Sequence, residues 1–433
     1  ITDPSDAIRR GIGMVHQHFQ LVPVMTVTEN IILGNEPLAR GMVDIASARV
    51  MVQEISDRYG LEVDPDAAVE DLPVGTQQRI EILKALSRDV DLLILDEPTA
   101  VLTPQETDEL LDVMKQLAAN GTSIVFITHK LREVLAVSDR IYVLRGGEMA
   151  GEVETATTSE AQLAQLMVGR EVVLHISKDA AKPTESVLQI TDLVVKDDRK
   201  LVAVNGLSLE VRAGEILGVA GVEGNGQREL VEAIAGMRDV VSGTVTLFGD
   251  TDSTKFSPYD IHAAGVGHVP EDREKHGLVA SFSIADNLVL NRFDEPEFAN
   301  RGVRNFAAVS ENAEGLVEKF DIRTSSINAT AASLSGGNKQ KVVVARELSA
   351  EPKLLVAAQP TRGVDVGSIE FIHNQIVAAR DSGAGVLLVS AELDEILSLS
   401  DRIVVVHAGK VVAEMPAASA NRTEIGRLMA GGH

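Results

Sequence analysis

The sequence contains no cysteine among its 433 residues. A chain without cysteine cannot form disulfides, hold zinc through thiolates or use a thiol as a nucleophile, and this composition fits a reducing cytosol. The sequence also lacks an uninterrupted apolar run close to the ~18–20 residues that a membrane-spanning helix needs. The pattern of a signal peptide is not recognisable either.

Positive charge is scarce as well. The 40 lysines and arginines face 64 aspartates and glutamates, which gives a formal net charge of −24. An acidic surface of this kind repels phosphate backbones, so we predict that the partners do not include nucleic acid. What the chain has in quantity is apolar side chains, 45% of the total, enough to build a core in each of two or three domains.

An internal repeat organises the chain. The segment "LLILDEPTAVLT" begins at Leu92, and "LLVAAQPTRGVD" begins at Leu354, 262 positions later. Three further pairs keep that offset: "LPVGTQQRIEILKALS" from Leu72 with "LSGGNKQKVVVARELS" from Leu334, "ITHK" from Ile127 with "VSAE" from Val389, and "LMVG" from Leu166 with "LMAG" from Leu428. Collinear matches at one offset indicate a tandem duplication.

The two copies differ in length. "GIGMVHQ", ending at Gln17, aligns with "GVGHVPE", ending at Glu271, at an offset of 254. The second copy begins near Val187, so its positions 187–254 have no counterpart in the first. Since the chain starts at Ile1 and not at methionine, we expect its natural start to be missing. The predicted domains are 1–175 and 187–433, joined by a linker at 176–186 where polar residues and proline interrupt the apolar pattern.

Each copy alternates short β-branched runs with amphipathic helices. "LLIL" and "SIVFIT" are typical of buried strands. "PQETDELLDVMKQLAAN" is typical of a helix, because its apolar residues recur at helical spacing; they are Leu110, Leu111, Met114 and Leu117. The pattern predicts an α/β fold in each copy, with a mainly parallel core sheet and flanking helices.

The acidic pair of the first repeat is the leading catalytic candidate. Asp96 and Glu97 follow a buried strand, at the edge where α/β folds place ligands. Asp96 suits binding of Mg²⁺, and Glu97 suits polarisation of an attacking water. Alternatively, the pair only ends a strand before Pro98. The second copy has Ala358 and Gln359 at these positions and lacks both carboxylates.

A glycine-rich turn lies between a strand and a helix in the second copy. Gly221–Arg228 fits the frame G-x-x-x-x-G-K-[ST], in which backbone N–H groups bind phosphate. The candidate ligands are Gly221, Gly224, Gly226, Gln227 and Arg228. Gln227 and Arg228 replace the lysine and the hydroxyl residue of the frame, so its charge clamp and Mg²⁺ ligand are absent. The alternative is a plain turn.

The word "LSGGNKQK" precedes a predicted helix. Its candidate anion ligands are Leu334, Ser335, Gly336 and Gly337, because a hydroxyl and free amides at a helix N-terminus attract anions. Alternatively, Ser335 only caps the helix. In the first copy Pro73 replaces the serine and removes the hydroxyl.

His129 is a further difference between the copies. It ends a strand in the first copy, and its counterpart in the second copy is Ala391, so the strand does not need a histidine there. A chemical role for His129, such as contact with a γ-phosphate, is therefore favoured.

Taken together, these motifs resemble those of the ATP-binding cassette (ABC) ATPases. "LLILDEP" is similar to their Walker B motif, "LSGGNKQ" to the signature, "MVHQ" to the Q-loop and "ITHK" to the H-loop. The tandem form, with "GNKQK", "PTRGVDVG" and "VPEDREKHGLV" in its second copy, resembles the ATPase subunit of bacterial importers for simple sugars and nucleosides. "AAQPTRG" is more similar to the nucleoside branch.

The resemblance implies two tandem P-loop ATPase domains, each with a helical subdomain in addition to its core sheet, and two ATP sites, each shared by both cassettes. One would combine Gln17, Asp96, Glu97 and His129 with the second copy's signature and Asp365, and Gln17 would join Asp96 in holding Mg²⁺. The other site would combine the altered positions, namely Pro73, Thr103, Gln227, Arg228, Glu271, Ala358, Gln359 and Ala391. Every defect therefore falls on one site, which we predict does not hydrolyse ATP. The first copy's phosphate loop would lie in the segment without a counterpart, so we expect little hydrolysis from this chain alone.

The resemblance also implies the partners and the location. They are ATP, Mg²⁺, transmembrane permease subunits and, through these, an extracytoplasmic solute-binding protein, with the chain peripheral on the cytoplasmic face of the membrane. Docking to the permease would use Phe19, Leu21, Val22, Val24 and Met25; alternatively, these residues are ordinary core.

Two other functions compete with the importer hypothesis. One is a soluble ABC ATPase that acts on ribosomes or DNA, which the short linker and the acidity disfavour. The other is a catalytically inactive, truncated binding module.

Overall fold

The structure is a computed structural model that describes residues 1–16, 19–88, 90–99, 102, 104–169, 178–222, 224–429 and 431. Its contacts divide the chain into two compact units, Ile1–Glu171 and Val172–His433. Residues 170–177 fall outside the described part, and the predicted boundaries at 175 and 187 stay predictions.

Unit 1 contains the first repeat. Its helices are α1 Pro4–Arg9, α2 Val27–Ile32, α3 Ile45–Tyr59, α4 Val74–Leu86, α5 Pro104–Ala119, α6 Leu131–Val137 and α7 Glu160–Val168. Its strands are β1 Ile12–Val15, β2 Leu38–Ala39, β3 Met42–Val43, β4 Leu92–Asp96, β5 Ser123–Ile127, β6 Arg140–Arg145 and β7 Glu148–Glu154.

A parallel sheet in the order β1-β4-β5 organises unit 1. The middle strand β4 buries Leu93 and Leu95, which pack in one cluster with helix α5. The predicted helix over 104–120 and the two predicted strands are confirmed, and the four apolar side chains chosen from the helical spacing are all buried. The expectation that both strands are buried was wrong for β5, because its side chains Val125 and Ile127 are each 46% exposed. The paired strands β2-β3 and β6-β7 form antiparallel hairpins.

Unit 2 contains the second repeat. Its helices are α8 Gln227–Ile234, α9 Pro258–Ala263, α10 Ile284–Leu288, α11 Phe306–Lys319, α12 Gly336–Ser349, α13 Val366–Asp381, α14 Leu393–Leu399 and α15 Arg422–Met429. Its strands are β8 Ser186–Lys196, β9 Val202–Arg212, β10 Ile216–Ala220, β11 Val240–Leu247, β12 Thr251–Asp252, β13 Val266–Val269, β14 Ala299–Asn300, β15 Val303–Arg304, β16 Leu354–Ala358, β17 Gly385–Ser390, β18 Arg402–His407 and β19 Lys410–Pro416.

The central sheet of unit 2 has the order β13-β16-β17-β10-β18-β19. Its strands run parallel except for β19, which pairs antiparallel with β18. A second, antiparallel sheet in the order β12-β11-β8-β9 shares one apolar cluster with helix α8 and the central strands. The predicted α/β class with a mainly parallel core sheet is confirmed.

The parallel strands determine where candidate residues gather. In unit 1, β4 and β5 end on the same edge, just before Glu97 and Thr128. In unit 2, β10, β16 and β17 end on one edge, just before Gly221, Gln359 and Ala391. This is the edge at which open α/β sheets bind ligands. Within the described residues, none of the helices is long and apolar enough to cross a membrane.

Candidate functional site

The acidic pair of unit 1 lies at the end of β4. Asp96 is the last residue of the strand and pairs in register with Ile127 of β5. Glu97 turns the chain with a φ of 46°, a left-handed conformation that few residues other than glycine adopt. Its N–H donates to the carbonyl oxygen of Ile127 at 2.9 Å, so the turn is tied to β5.

His129 contacts the carboxylate of Glu97. The distance between His129 Nδ1 and Glu97 Oε1 is 3.0 Å, and about a quarter of each side chain is exposed. With the proton on Nδ1, the imidazole donates to the carboxylate and fixes its orientation. The structure therefore brings together Asp96, Glu97 and His129, three of the predicted site residues. Gln17, the fourth predicted for this copy, lies outside the described residues.

A buried hydrogen-bond network connects the turn after β4 to helix α6, and the sequence did not predict it. Thr99 Oγ1 donates to Glu133 Oε2 at 2.7 Å, and both side chains are buried. Lys130 Nζ donates to the carbonyl oxygen of Thr99 at 3.3 Å. These bonds connect the turn after β4 to the first turn of α6. Since they join residues about 30 positions apart, neither periodicity nor motif spacing could reveal them.

Unit 2 repeats this backbone geometry without the acidic chemistry. Gln359 also has a φ of 46°, and its N–H donates to the carbonyl oxygen of Val389 at 2.7 Å. The Gln359 side-chain oxygen accepts from the N–H of Ala391 at 3.2 Å, where the first copy has the imidazole contact. Ala358 is buried at the end of β16. The second site therefore keeps the turn and lacks the carboxylates and the histidine.

The glycine-rich turn of unit 2 is shaped by close backbone contacts. Gly226 has a φ of 90°, and a Cβ there would lie 2.3 Å from the carbonyl oxygen of Ala203. A Cβ on Gly221 would lie 2.9 Å from the carbonyl oxygen of Val406, as well as 2.7 Å from Gln227 Nε2. Only glycine fits at either position. Gly224 also has a positive φ, but the space beside it is open.

The two residues that replace the lysine and the hydroxyl residue behave differently. Gln227 is buried, and its Nε2 atom has no hydrogen-bond partner within the described part of the chain. Arg228 Nε donates to Glu232 Oε1 at 2.8 Å, and its NH2 atom lies 3.6 Å from Asp198 Oδ2. Burial would raise the pKa of the Glu232 carboxyl, but hydrogen bonds from Arg228 and Arg238 lower it. Arg228 is thus engaged in an ion-pair cluster.

The signature residues begin helix α12. Ser335 caps it, and its Oγ accepts from Asn338 Nδ2 at 2.9 Å. A Cβ on Gly337 would lie 2.5 Å from Asp365 Oδ2 and 2.4 Å from Ser368 Oγ. Asp365 caps α13 and accepts from the N–H of Ser368 at 3.0 Å. Ser335, Gly336, Gly337 and Asp365 are therefore brought together, and Leu334 is buried just before them.

Arg273 supports the signature and was missed. It begins a short π-helix, Arg273–Gly277, and donates to the carbonyl oxygens of Arg362 and Gly363 at 2.6 and 3.1 Å. A Cβ on Gly336 would lie 3.0 Å from Arg273 NH2. Burial lowers the pKa of the guanidinium. The motif "VPEDREKHGLV" contains this arginine, but the motif alone does not indicate that the guanidinium binds the carbonyl oxygens of Arg362 and Gly363.

The matching region of unit 1 differs. Pro73 precedes α4 without a side-chain cap, as the loss of the serine hydroxyl predicted. A Cβ on Gly75 would lie 1.9 Å from Glu106 Oε1, so a carboxylate occupies the space beside this glycine. Thr103, the predicted counterpart of Asp365, lies outside the described residues.

The residues predicted to dock to a membrane partner differ in exposure. Val24 is 74% exposed, whereas Leu21 packs against the core.

The fit of Mg²⁺ can be judged from the ligands that the chain offers. Among the described residues, no group of three or more His, Cys, Asp or Glu side chains could hold a metal ion. Magnesium is usually held by one or two carboxylates together with phosphates and water. The single strand-end carboxylate of Asp96 therefore suits Mg²⁺ bound together with a nucleotide.

Comparison with known proteins identifies the family. The sequence matches the family model described as "ABC transporter" over residues 2–100 and 204–362. Both copies of the repeat are thus matched, and the matched segments contain the acidic pair, the glycine-rich turn and the signature. The chain belongs to the ABC transporter family.

Individual relatives match along the full chain. It is similar to the nucleoside import ATP-binding protein NupA of Lactococcus lactis, with 49% identity over 433 residues that cover 100% of this chain and 85% of the relative. It is 48% identical to the guanosine import ATP-binding protein NupO of Bacillus subtilis over 431 residues, 100% of this chain and 84% of the relative. Identity to the ribose import ATP-binding protein RbsA of Chromobacterium violaceum is 40% over 426 residues, 98% and 83%.

Proposed function

We propose that this protein is the ATP-hydrolysing subunit of an importer for nucleosides or simple sugars, with one competent and one degenerate ATP site. The observation that carries the proposal is the difference between the copies. A carboxylate–imidazole pair follows β4, and a glutamine–amide pair follows β16 on the same backbone. The relatives' names support import as the process that hydrolysis serves.

The chemistry would be transfer of the γ-phosphoryl group of ATP to water. Such reactions depend on positioning and on charge stabilisation. Glu97 would accept a hydrogen bond from the attacking water and raise its nucleophilicity, while His129 holds the carboxylate in place. Ser335 and the N–H groups at the start of α12 would contact phosphate oxygens. Mg²⁺, when bound at Asp96, would neutralise phosphate charge.

The degenerate site would be built on the glycine-rich turn of unit 2. Its turn keeps the glycines that allow a close approach of phosphate. Gln227 offers an uncharged donor in place of the lysine, and Arg228 is held by Glu232. We therefore infer weak nucleotide binding without hydrolysis there.

The location and partners follow from the same proposal. As an importer subunit, the protein would sit peripherally on the cytoplasmic face of the membrane and bind permease subunits that receive solute from an extracytoplasmic binding protein. Val24, exposed close to the predicted Q-loop, is the candidate contact. Between the solutes, the two relatives at 48–49% identity are named for nucleosides and guanosine, which favours nucleosides over sugars.

The test compares equivalent positions in the two copies. ATP hydrolysis is measured for the protein expressed from its native gene together with its permease, as wild type, Glu97→Gln and Gln359→Ala. We expect Glu97→Gln to lower the rate by about 10²- to 10⁴-fold while nucleotide binding is kept. Gln359→Ala, the matched control, should hydrolyse ATP at the wild-type rate. Ordinary turnover by Glu97→Gln would refute the assignment.

A further inference from the structure

Unit 1 contains a pocket that the mechanism does not use. It has a volume of about 260 Å³ and lies between the end of α3, helix α4 and helix α5. Leu61, Ile82 and Leu110 form apolar walls, and Gln78, Arg79 and Glu106 provide polar ones. Hydrolysis at the proposed site needs none of these side chains, so the pocket requires a separate explanation.

The second copy shows what fits in this position. Phe371 follows Glu109 by the repeat offset of 262 and stands edge-to-face against Phe320, with 6.1 Å between the ring centroids. Lys341 Nζ lies 4.8 Å from the centroid of the Phe371 ring. In unit 2, an aromatic ring covered by a cation therefore occupies the place that corresponds to the pocket.

The first copy replaces the ring but keeps its surroundings. Glu109 stands in place of Phe371, and its carboxylate pairs with Arg79 at 2.9 Å on the outside of α5. Arg79 is the counterpart of Lys341, and Tyr59 is the counterpart of Phe320, since each precedes a residue with left-handed backbone (Gly60 and Asp321). The pocket therefore lies beside the position that corresponds to Phe371, where unit 1 has a glutamate and not an aromatic ring.

A buried polar atom points to a ligand with a hydrogen-bond acceptor. Gln78 is only 3% exposed and lines the pocket, and its Nε2 atom has no hydrogen-bond partner within the described part of the chain. Buried donors are nearly always satisfied in folded proteins. The carboxylate of Glu106 lines the same pocket and can accept from an amino group. An apolar ring alone would leave the Gln78 donor without a hydrogen-bond acceptor.

We propose that this pocket binds a planar heteroaromatic ring, specifically the base of an uncharged nucleoside. The base would take the place that Phe371 has in unit 2, accept from Gln78 Nε2 and lie under Arg79, which can cover its face as a cation covers an aromatic ring. The rim argues against phosphates, because Glu106, Glu109 and Asp112 outnumber the single cation Arg79. The pocket volume of about 260 Å³ lies just below the ~300–1,000 Å³ range of pockets for drug-sized ligands, and it therefore suits a ligand as small as a single base.

The experiment is calorimetric titration of the full chain with adenosine. Glu109→Phe introduces the ring of the second copy and should lower affinity at least about tenfold. Gln78→Leu removes the donor at similar volume and should lower affinity about threefold to tenfold. Asp108→Phe is the matched control, because Asp108 is exposed on the same helix and does not line the pocket. It should bind adenosine as the wild type does.

Other outcomes would overturn the proposal. Equal affinity of adenosine for Glu109→Phe and for wild type would mean that it binds elsewhere, for example at a nucleotide site. Benzyl alcohol binding as tightly as adenosine, with no effect of Gln78→Leu, would mean an apolar cavity only. Ribose, which lacks the ring, should show no binding, and binding of ribose equal to that of adenosine would contradict recognition of the base. An absence of measurable adenosine binding would refute the site.

Discussion

Gly337 is the signature residue with the least space for a side chain. Its hypothetical Cβ lies within 2.5 Å of oxygen atoms of both Asp365 and Ser368. Both neighbours are already joined to each other, by a bond from Ser368 Oγ to Asp365 Oδ2 of 2.8 Å, so they cannot simply move away. The glycine is required here by packing, in addition to any role in binding phosphate.

We therefore predict that Gly337→Ala lowers the free energy of unfolding by about 1–3 kcal/mol, the usual range for overpacking. Urea denaturation measures this change. Gly315→Ala is the matched control, because Gly315 lies in helix α11 with nothing within 4 Å of its hypothetical Cβ. That substitution should stabilise the protein by up to about 1 kcal/mol. Equal effects of the two substitutions would show that the contact with Asp365 is unimportant.

His268 makes the stability depend on pH. Burial lowers its pKa to about 4 from the ordinary 6.5, and its Nε2 atom has no hydrogen-bond partner in the described residues. Between pH 4 and 6.5 the unfolded chain binds a proton at this histidine that the folded chain does not. Stability therefore falls as the pH falls through this window.

The repeat supplies the variant that tests this effect. Met14 is the counterpart of His268 at the offset of 254, so His268→Met places an apolar residue of the other copy at the same strand position. Relative to the variant, the wild type should lose about 2 kcal/mol between pH 7.5 and pH 5, as denaturation at the two pH values would show. Parallel curves for the two proteins would contradict the assignment to His268.

At the scale of elements, the start of α12 depends on one hydroxyl. Ser335 provides the side-chain cap, and Lys339 in the first turns pairs with Glu274 at 2.6 Å. We expect Ser335→Ala to lower the free energy of unfolding by about 1 kcal/mol and Ser335→Asn, which keeps a capping oxygen, to restore most of it. Chemical denaturation of the three proteins checks this. If alanine and asparagine were equally destabilising, the cap would not be the cause.

Elements with strong local signals were predictable from the sequence. Helix α5 and strands β4 and β5 were identified from their apolar residues; α5 and β4 each bury one face, and β5 was recognisable from its run of β-branched and aromatic residues. Asp96, Glu97 and His129 followed from their positions at strand ends. In contrast, the sheet of β8, β9, β11 and β12 and the support of Gly336 by Arg273 depend on contacts between distant parts of the chain, which local patterns do not encode. The pocket was hidden for the same reason.

At the scale of the whole molecule, the net charge of −24 sets the response to salt. Like charges repel in the compact state, and salt screens them over about 10 Å at 0.1 M. We predict that the melting temperature rises as KCl increases from about 0.05 to about 0.5 M. Betaine, which carries no net charge, is the control for non-ionic solute effects. A melting temperature that responds equally to both solutes would exclude screening as the cause.

The shared φ of 46° at Glu97 and Gln359 has an evolutionary consequence. The backbone of the second copy has the conformation that presents Glu97 in the first copy, although the residue at this position is glutamine. In the genetic code, glutamine differs from glutamate by one nucleotide, and alanine differs from aspartate by one or two, depending on the alanine codon. Placing both carboxylates at 358 and 359 would thus require a few nucleotide changes and no change of the backbone turn. At this position, the two copies therefore differ in their side chains but share the same backbone conformation.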